Sequence, residues 1–200
     1  MTDRGNPAPQ DLDLVRWALA GSQDAYRDLL LRYQRPVLSL IRRMVRDSSQ
    51  AEDLAQEVFL KAFRALESFD QTRKFSSWLF KIAHNTAIDQ LRRKELKTVP
   101  LETPDRDQPD LVAILPDSSA ETPARRADRR DLAAAIEGAI GSLKPLYREV
   151  VVLRYQEGLA YEEIAEVTDL PLGTVKTHLF RARKAMVAHL EAQGWKPGNE

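Results

Sequence analysis

The chain has 200 residues, and its 30 Lys and Arg balance 30 Asp and Glu to a formal net charge of zero. Nucleic-acid binding through bulk basicity is therefore excluded; it would need segregated patches. No cysteine is present, which excludes disulfides, Cys-based zinc sites and a thiol nucleophile and fits a reducing cytosol.

The length suggests one or two domains. Glycine is scarce, at 8 residues, and β-branched runs are few, so the pattern is nearly all helical. Asp11, Asp13 and nearby prolines stand where a signal peptide would carry its apolar segment, so none is expected. No apolar run approaches the ~20 residues needed to span a bilayer. The expectation is a soluble, cytoplasmic protein.

In chain order, residues 1–10 are expected to form a frayed tail. Asp11 is placed to cap a helix that turns Leu14, Val15, Ala18 and Leu19 inward. Gly21 and Ser22 interrupt it, and Ser22 or Gln23 opens the next helix, with Ala25, Leu29, Leu30 and Tyr33 inward. Pro36 is expected to start or kink a further helix through Val37, Leu40, Ile41, Met44 and Val45. Arg32, Arg35, Arg42, Arg43 and Arg46 line its outside, as a solvated face or as contacts to a partner.

Ser49 and Glu52 have the spacing of a capping box, predicting a helix over 52–66. Its buried face is Ala55, Val58, Phe59, Ala62, Phe63 and Leu66. Asp53, Gln56, Glu57, Leu60 and Arg64 lie opposite. Acids near a helix start favour the helix dipole; the same acids would also suit a basic docking partner. A polar loop over 68–76 leads into a helix over 77–93, with Phe80, Ala83, Ala87 and Leu91 buried and Trp78, Lys81, Asn85, Asp89 and Arg92 outside. An outward Trp among cations suits unstacked bases, or else packs on a neighbouring helix.

Residues 94–124 hold five prolines and an excess of acids, and read as a flexible acidic linker between two helical domains. Helix resumes over 125–140, with Leu132, Ala133, Ile136 and Ile140 inward, and Ser142 is placed to cap the next. Leu143, Leu146, Tyr147, Val150 and Leu153 pack inward there, and Gly158 ends it. Residues 161–186 read as a helix-turn-helix: a first helix over 162–167, a break over 168–172 marked by Pro171 and Gly173, then a second helix. At about 100° per residue, Val175, Leu179, Ala182 and Met186 form one stripe. Opposite lie Thr177, Phe180, Arg181 and Lys184, with Lys176 beside them. No acid occurs from 173 to 188, as suits a helix facing phosphates and base edges. Residues 193–200 are expected to be loose.

Two stretches carry a resemblance. AEDLAQEVFLKAFRAL with FSSWLFKIAHNTAIDQLRR looks like sigma domain 2, and LKPLYREVVVLRYQEGLAYEEIAEVTDLPLGTVKTHLFRARKAM looks like sigma domain 4. Their pairing resembles the extracytoplasmic-function (group 4) branch of the sigma-70 family of bacterial RNA polymerase initiation factors, which lacks a domain between the two. The resemblance implies an all-α fold of two small domains, 11–94 and 125–192, with a linker over 95–124. It implies partners: core RNA polymerase, promoter DNA and an anti-sigma factor, often membrane-anchored; no cofactor, metal or small-molecule substrate is expected.

Residue by residue, it implies that Asp53, Gln56 and Glu57 bind the polymerase clamp. The loop with Phe69, Asp70, Lys74, Phe75 and Ser76 captures a flipped minus-ten base, and Trp78, Lys81 and Asn85 sit at the melted edge. Lys176, Thr177, His178, Phe180 and Arg181 contact the minus-35 element, with Arg183 and Lys184 nearer phosphate; His178 stands where many members carry Arg. The alternative is a stand-alone helix-turn-helix regulator on a palindromic operator. An enzyme is disfavoured, since His84, His178 and His189 lack ligand spacing and no phosphate loop or nucleophile elbow occurs.

Overall fold

The computed structural model describes residues 10–45, 47–95 and 123–195. Expectations for the 1–10 tail, Arg46, the linker and the end of the chain beyond 195 therefore lie wholly or largely outside the described residues. The chain divides into two compact units, 1–97 and 98–200, and every described element is helical.

The first unit comprises α1 (Asp11–Leu19), α2 (Gln23–Met44), α3 (Ser48–Arg64) and α4 (Phe75–Glu95). Helix α2 is central and packs against the other three, while α3 also packs on α4. Ser22 caps α2, its hydroxyl accepting from the Ala25 amide at 3.3 Å. Pro36 neither starts nor ends a helix: α2 runs through it unbroken, because burial of Leu29, Tyr33, Val37, Leu40 and Ile41 along one stripe outweighs one lost backbone bond. Leu30 and Leu19 remain exposed, since the neighbouring helices cover a narrower arc than the apolar pattern offered.

Two expected caps are corrected. Asp47 caps α3 by accepting from the Gln50 amide at 3.1 Å, which puts Ser49 and Glu52 inside the helix, where Glu52 pairs with Arg42 at 3.0 Å. Asp11 lies in the first turn of α1 and bonds instead to Arg32 and Tyr33 of α2. Helix α3 ends in a short 3-10 turn, Leu66–Ser68.

The second unit comprises α5 (Pro123–Gly141), α6 (Pro145–Val151), α7 (Tyr161–Thr168) and α8 (Leu172–Ala192). Helix α8 packs against the other three. The inward face of α5 is Ala135, Ala139 and Ile140, with Leu132 exposed, and Leu146 of α6 is likewise exposed. Ser142 does not cap α6; its hydroxyl donates to the Ala139 carbonyl at 2.7 Å. Arg148 reaches back to donate to the carbonyls of Ile140 at 3.2 Å and Leu143 at 3.0 Å, closing the end of α5.

After Val151 the helix widens into a π turn, Val152–Gln156, in which the Glu157 amide bonds the Val152 carbonyl at 3.1 Å. Gly158, at φ +69°, ends it. Glu163 then closes the start of α7 by accepting from the Ala160 amide at 2.7 Å. The turn between α7 and α8 is shorter than expected. It spans 169–171, with Asp169 in the left-handed region at φ 56°, and Gly173 lies inside α8.

Candidate nucleic-acid interface and docking face

In the second unit, burial of Val175, Leu179 and Ala182 on α8 fixes which side faces out. Lys176, Thr177, Phe180, Arg181, Arg183 and Lys184 are all exposed, Phe180 at 70%. The Thr177 hydroxyl donates to the Gly173 carbonyl at 2.8 Å. Arg181 reaches Tyr147 Oη at 3.5 Å. Among the described residues Lys176, Arg183 and Lys184 are held in no ion pair, so their charge is available to an outside anion. His178 departs from the outward set: it is half-buried with its ring 4.9 Å from that of Tyr147. Burial, and then the nearby Arg181 charge, hold it below the usual histidine range, so the neutral ring prevails at neutral pH.

In the first unit the loop from Phe69 to Ser76 is firmly built. The Asp70 carboxylate accepts from the Thr72 amide at 3.0 Å and from its hydroxyl at 2.7 Å. These two donors, the amide first, hold it below the usual carboxylate range. The loop ends are pinned by aromatic rings: Phe69 meets Phe75 edge-on at 5.6 Å and Trp78 at 5.2 Å. Tyr33 meets Phe75 at 5.5 Å and Phe80 at 6.3 Å. Burial, then the bond to Asp11, keep the Tyr33 hydroxyl well above the usual tyrosine range.

Phe69 and Phe75, expected as part of the capturing loop, are thus buried at 5% and 1% exposure and serve as its nails. Trp78, expected outside, is half-buried against them. Asp70, Lys74 and Asn85 are exposed, and Ser76 and Lys81 half-buried. Trp78, Lys81 and Asn85 follow the i, i+3, i+7 spacing of one helix face. An open depression of about 740 Å³ lies between the start of α1 and the loop, its wall including Asp11, Arg32, Lys74 and Ser76.

Helix α3 presents Asp53 and Gln56, with Glu57 half-exposed and Leu60 exposed at 56%. The first turn of α3 contains no acid, so Asp53 and Glu57 lie beyond the reach of the helix-dipole explanation. Glu57 pairs with Lys61 at 2.7 Å, and Lys61 also donates to the buried Thr86 of α4 at 3.2 Å. Sequence spacing alone missed Asp11, Arg16, Tyr33 and Thr72; only the Phe pair flanking a polar loop hinted that the loop is anchored. Among the described residues no His, Cys, Asp or Glu cluster fits a metal ion, and no helix is long and apolar enough to cross a membrane.

Two family descriptions fit the chain, Sigma-70 region 2 over residues 29–96 and Sigma-70, region 4 over residues 133–186. The RNA polymerase sigma-H factor of Pseudomonas aeruginosa is 38% identical over 181 residues, covering 88% of this chain and 92% of that protein. The ECF RNA polymerase sigma factor SigW of Bacillus subtilis is 36% identical over 179 residues, covering 86% and 92%. Among solved structures, CnrH in complex with the cytosolic domain of CnrY matches with a TM-score of 0.60 at 26% identity, covering 91% of this chain and 97% of that one.

Proposed function

The chain belongs to the extracytoplasmic-function branch of the sigma-70 family, and from that premise we propose how its residues divide the work of promoter selection. As a member it is a promoter-specific transcription initiation factor and not an enzyme. In our reading residues 11–94 form sigma domain 2, 125–192 form sigma domain 4, and 95–124 tether them. The chain works in the cytoplasm with core RNA polymerase.

Domain 4 docks α8 into the major groove of the minus-35 element. Lys176, Thr177, Phe180 and Arg181 lie toward base edges, and Arg183 and Lys184 toward phosphate. His178 acts from the side, as a neutral ring set against Tyr147. Domain 2 takes a minus-ten base from the non-template strand into the loop shaped by Asp70, Lys74 and Ser76. Phe69 and Phe75 hold the loop, while Trp78, Lys81 and Asn85 meet the melted edge. Asp53, Gln56 and Glu57, with Leu60 one turn beyond them, dock on a basic surface of core polymerase. An anti-sigma factor, anchored at the membrane, is the expected off-switch. CnrH, which resembles this chain at 26% identity, was solved in complex with the cytosolic domain of another protein, CnrY, and that supports a protein partner for this fold.

The observation that carries the proposal is charge segregation in a neutral chain. From Gly173 to Ala188 α8 has no acid, whereas acids and an exposed leucine share one side of α3. The test is run-off transcription with purified core polymerase over a promoter library. Wild type should direct start sites that core alone does not use. Glu57→Lys should weaken core binding in a pull-down while leaving the melting temperature within about 2–4 °C, since surface changes stay within about 0.5 kcal/mol. Tight, specific binding of a palindromic duplex without polymerase would establish the stand-alone regulator instead.

A further inference from the structure

The first helix has no assigned part in promoter selection, yet two of its polar side chains bear on the minus-ten loop. Arg16 Nε donates to Gln71 Oε1 at 3.1 Å, across 55 residues of sequence. Asp11 does not cap its own helix; its carboxylate accepts from Arg32 Nη1 at 2.5 Å and from the Tyr33 hydroxyl. Tyr33 in turn packs its ring on Phe75, at the exit of the loop, at 5.5 Å.

One hand of α1 therefore holds the tip of the loop and the other, through Tyr33, holds its exit. The two anchors are five residues apart, roughly 7.5 Å along the helix axis. Between them opens the depression whose wall combines Asp11 and Arg32 with loop residues Lys74 and Ser76. The aromatic rings of Phe69 and Phe75 pin the ends of the loop and the Asp70–Thr72 turn folds it around Gln71; the two anchors of α1 fix that folded loop against a second helix.

We propose that α1 is a positioning element for base selection: Asp11 and Arg16 set the conformation in which the loop meets its base, without themselves contacting DNA. This rests on the reading of the loop as the minus-ten capture site. It adds a specificity determinant in a helix that lies before residues 29–96, the span fitted by Sigma-70 region 2.

The physical basis is preorganisation. A base that enters a loop already held in shape need not offset the cost of ordering it. Loosening either anchor should cost most for the base that fits best, because only that base uses the held shape. A merely structural role would behave otherwise, lowering stability and weakening all promoter sequences in proportion.

The experiment uses the full chain with core polymerase and four promoters that differ only at the captured minus-ten base, with open-complex formation followed by 2-aminopurine fluorescence. Asp11→Asn and Arg16→Gln should each compress the ratio between best and worst base by about 3–10-fold, the scale of one hydrogen bond. Core-polymerase affinity should be unchanged. Arg16→Gln, at an exposed position, also leaves the buried Tyr33 network intact, so its outcome is independent of any folding loss in Asp11→Asn. Lys74→Ala serves as the control on the loop itself. If Lys74→Ala changes discrimination and Arg16→Gln does not, the inference is overturned and the loop assignment stands. If neither changes it, the loop assignment fails as well.

Discussion

The two units present their candidate DNA-facing residues in opposite ways. In the first, the loop is nailed by Phe69 and Phe75, folded in its middle by Asp70 and Thr72, and tied to α1 by Gln71. In the second, α8 simply extends Lys176, Arg183 and Lys184 from a rigid rod with no ion pair among the described residues. Accepting a single extruded base requires a preformed concave shape, whereas following a duplex groove requires a straight axis and long charged arms. The contrast predicts that damage to the first unit acts through shape and damage to the second through contact.

The most disruptive test of that contrast is Phe75→Ala. Removing a fully buried ring that touches Tyr33, Phe69 and Trp78 should cost about 3–5 kcal/mol of stability, a large share of what a small domain has. Thermal unfolding of the full chain should show the first unit melting early and the second unmoved. Next in size is Arg181→Ala, expected to weaken promoter binding of the polymerase complex by about 1–3 kcal/mol with an unchanged melting temperature; a loss of stability instead would mean that the Tyr147 contact dominates.

Asp47→Ala should cost about 1 kcal/mol, or about 4–8 °C for a unit of this size, whereas Ser49→Ala should move the melting point by far less. That pair separates the observed cap from the one that spacing suggested. The smallest effect concerns pH. His178 titrates lower in the folded chain than in the unfolded one. Over the window between those two values the unfolded chain binds more protons, so folding weakens as pH falls below the unfolded value of about 6.5 and is unaffected well above it. An NMR titration of the full chain should place the His178 midpoint below the usual histidine value of about 6.5, and His178→Gln should flatten the acid-side slope of stability.

How much of this was legible beforehand followed the range of the interaction. The inward stripe of α8, through Val175, Leu179 and Ala182, and that of α3, through Val58, Phe59 and Ala62, follow from helical period alone and were readable. The exposed positions of Leu30, Leu132 and Leu146 were not, because period gives the direction of a face but not how wide an arc the neighbours cover. Caps were misplaced by a residue or two for a related reason: Ser49 and Asp47 both have short acceptor side chains, and tertiary packing decides where the helix begins. Asp11 was read as a local cap although its partners lie 21 and 22 residues away on α2. No spacing rule reports a partner at that distance. Phe69 and Phe75 lie within a polar stretch and were expected, from the family resemblance, as part of the base-capturing loop; ring-on-ring contacts made them core.

The π turn at Val152–Gln156 has a consequence for how this chain can tolerate change in length. Val150, Val151, Val152 and Leu153 are all buried in succession, which a regular 3.6-residue repeat would spread around most of the helix circumference. The widened turn absorbs one surplus residue into the ladder. Deleting a single residue from it should therefore restore a regular turn and leave α7 and α8 near their present seats, whereas the same deletion from the regular stretch between Val175 and Ala182 of α8 would turn everything beyond it by about 100°.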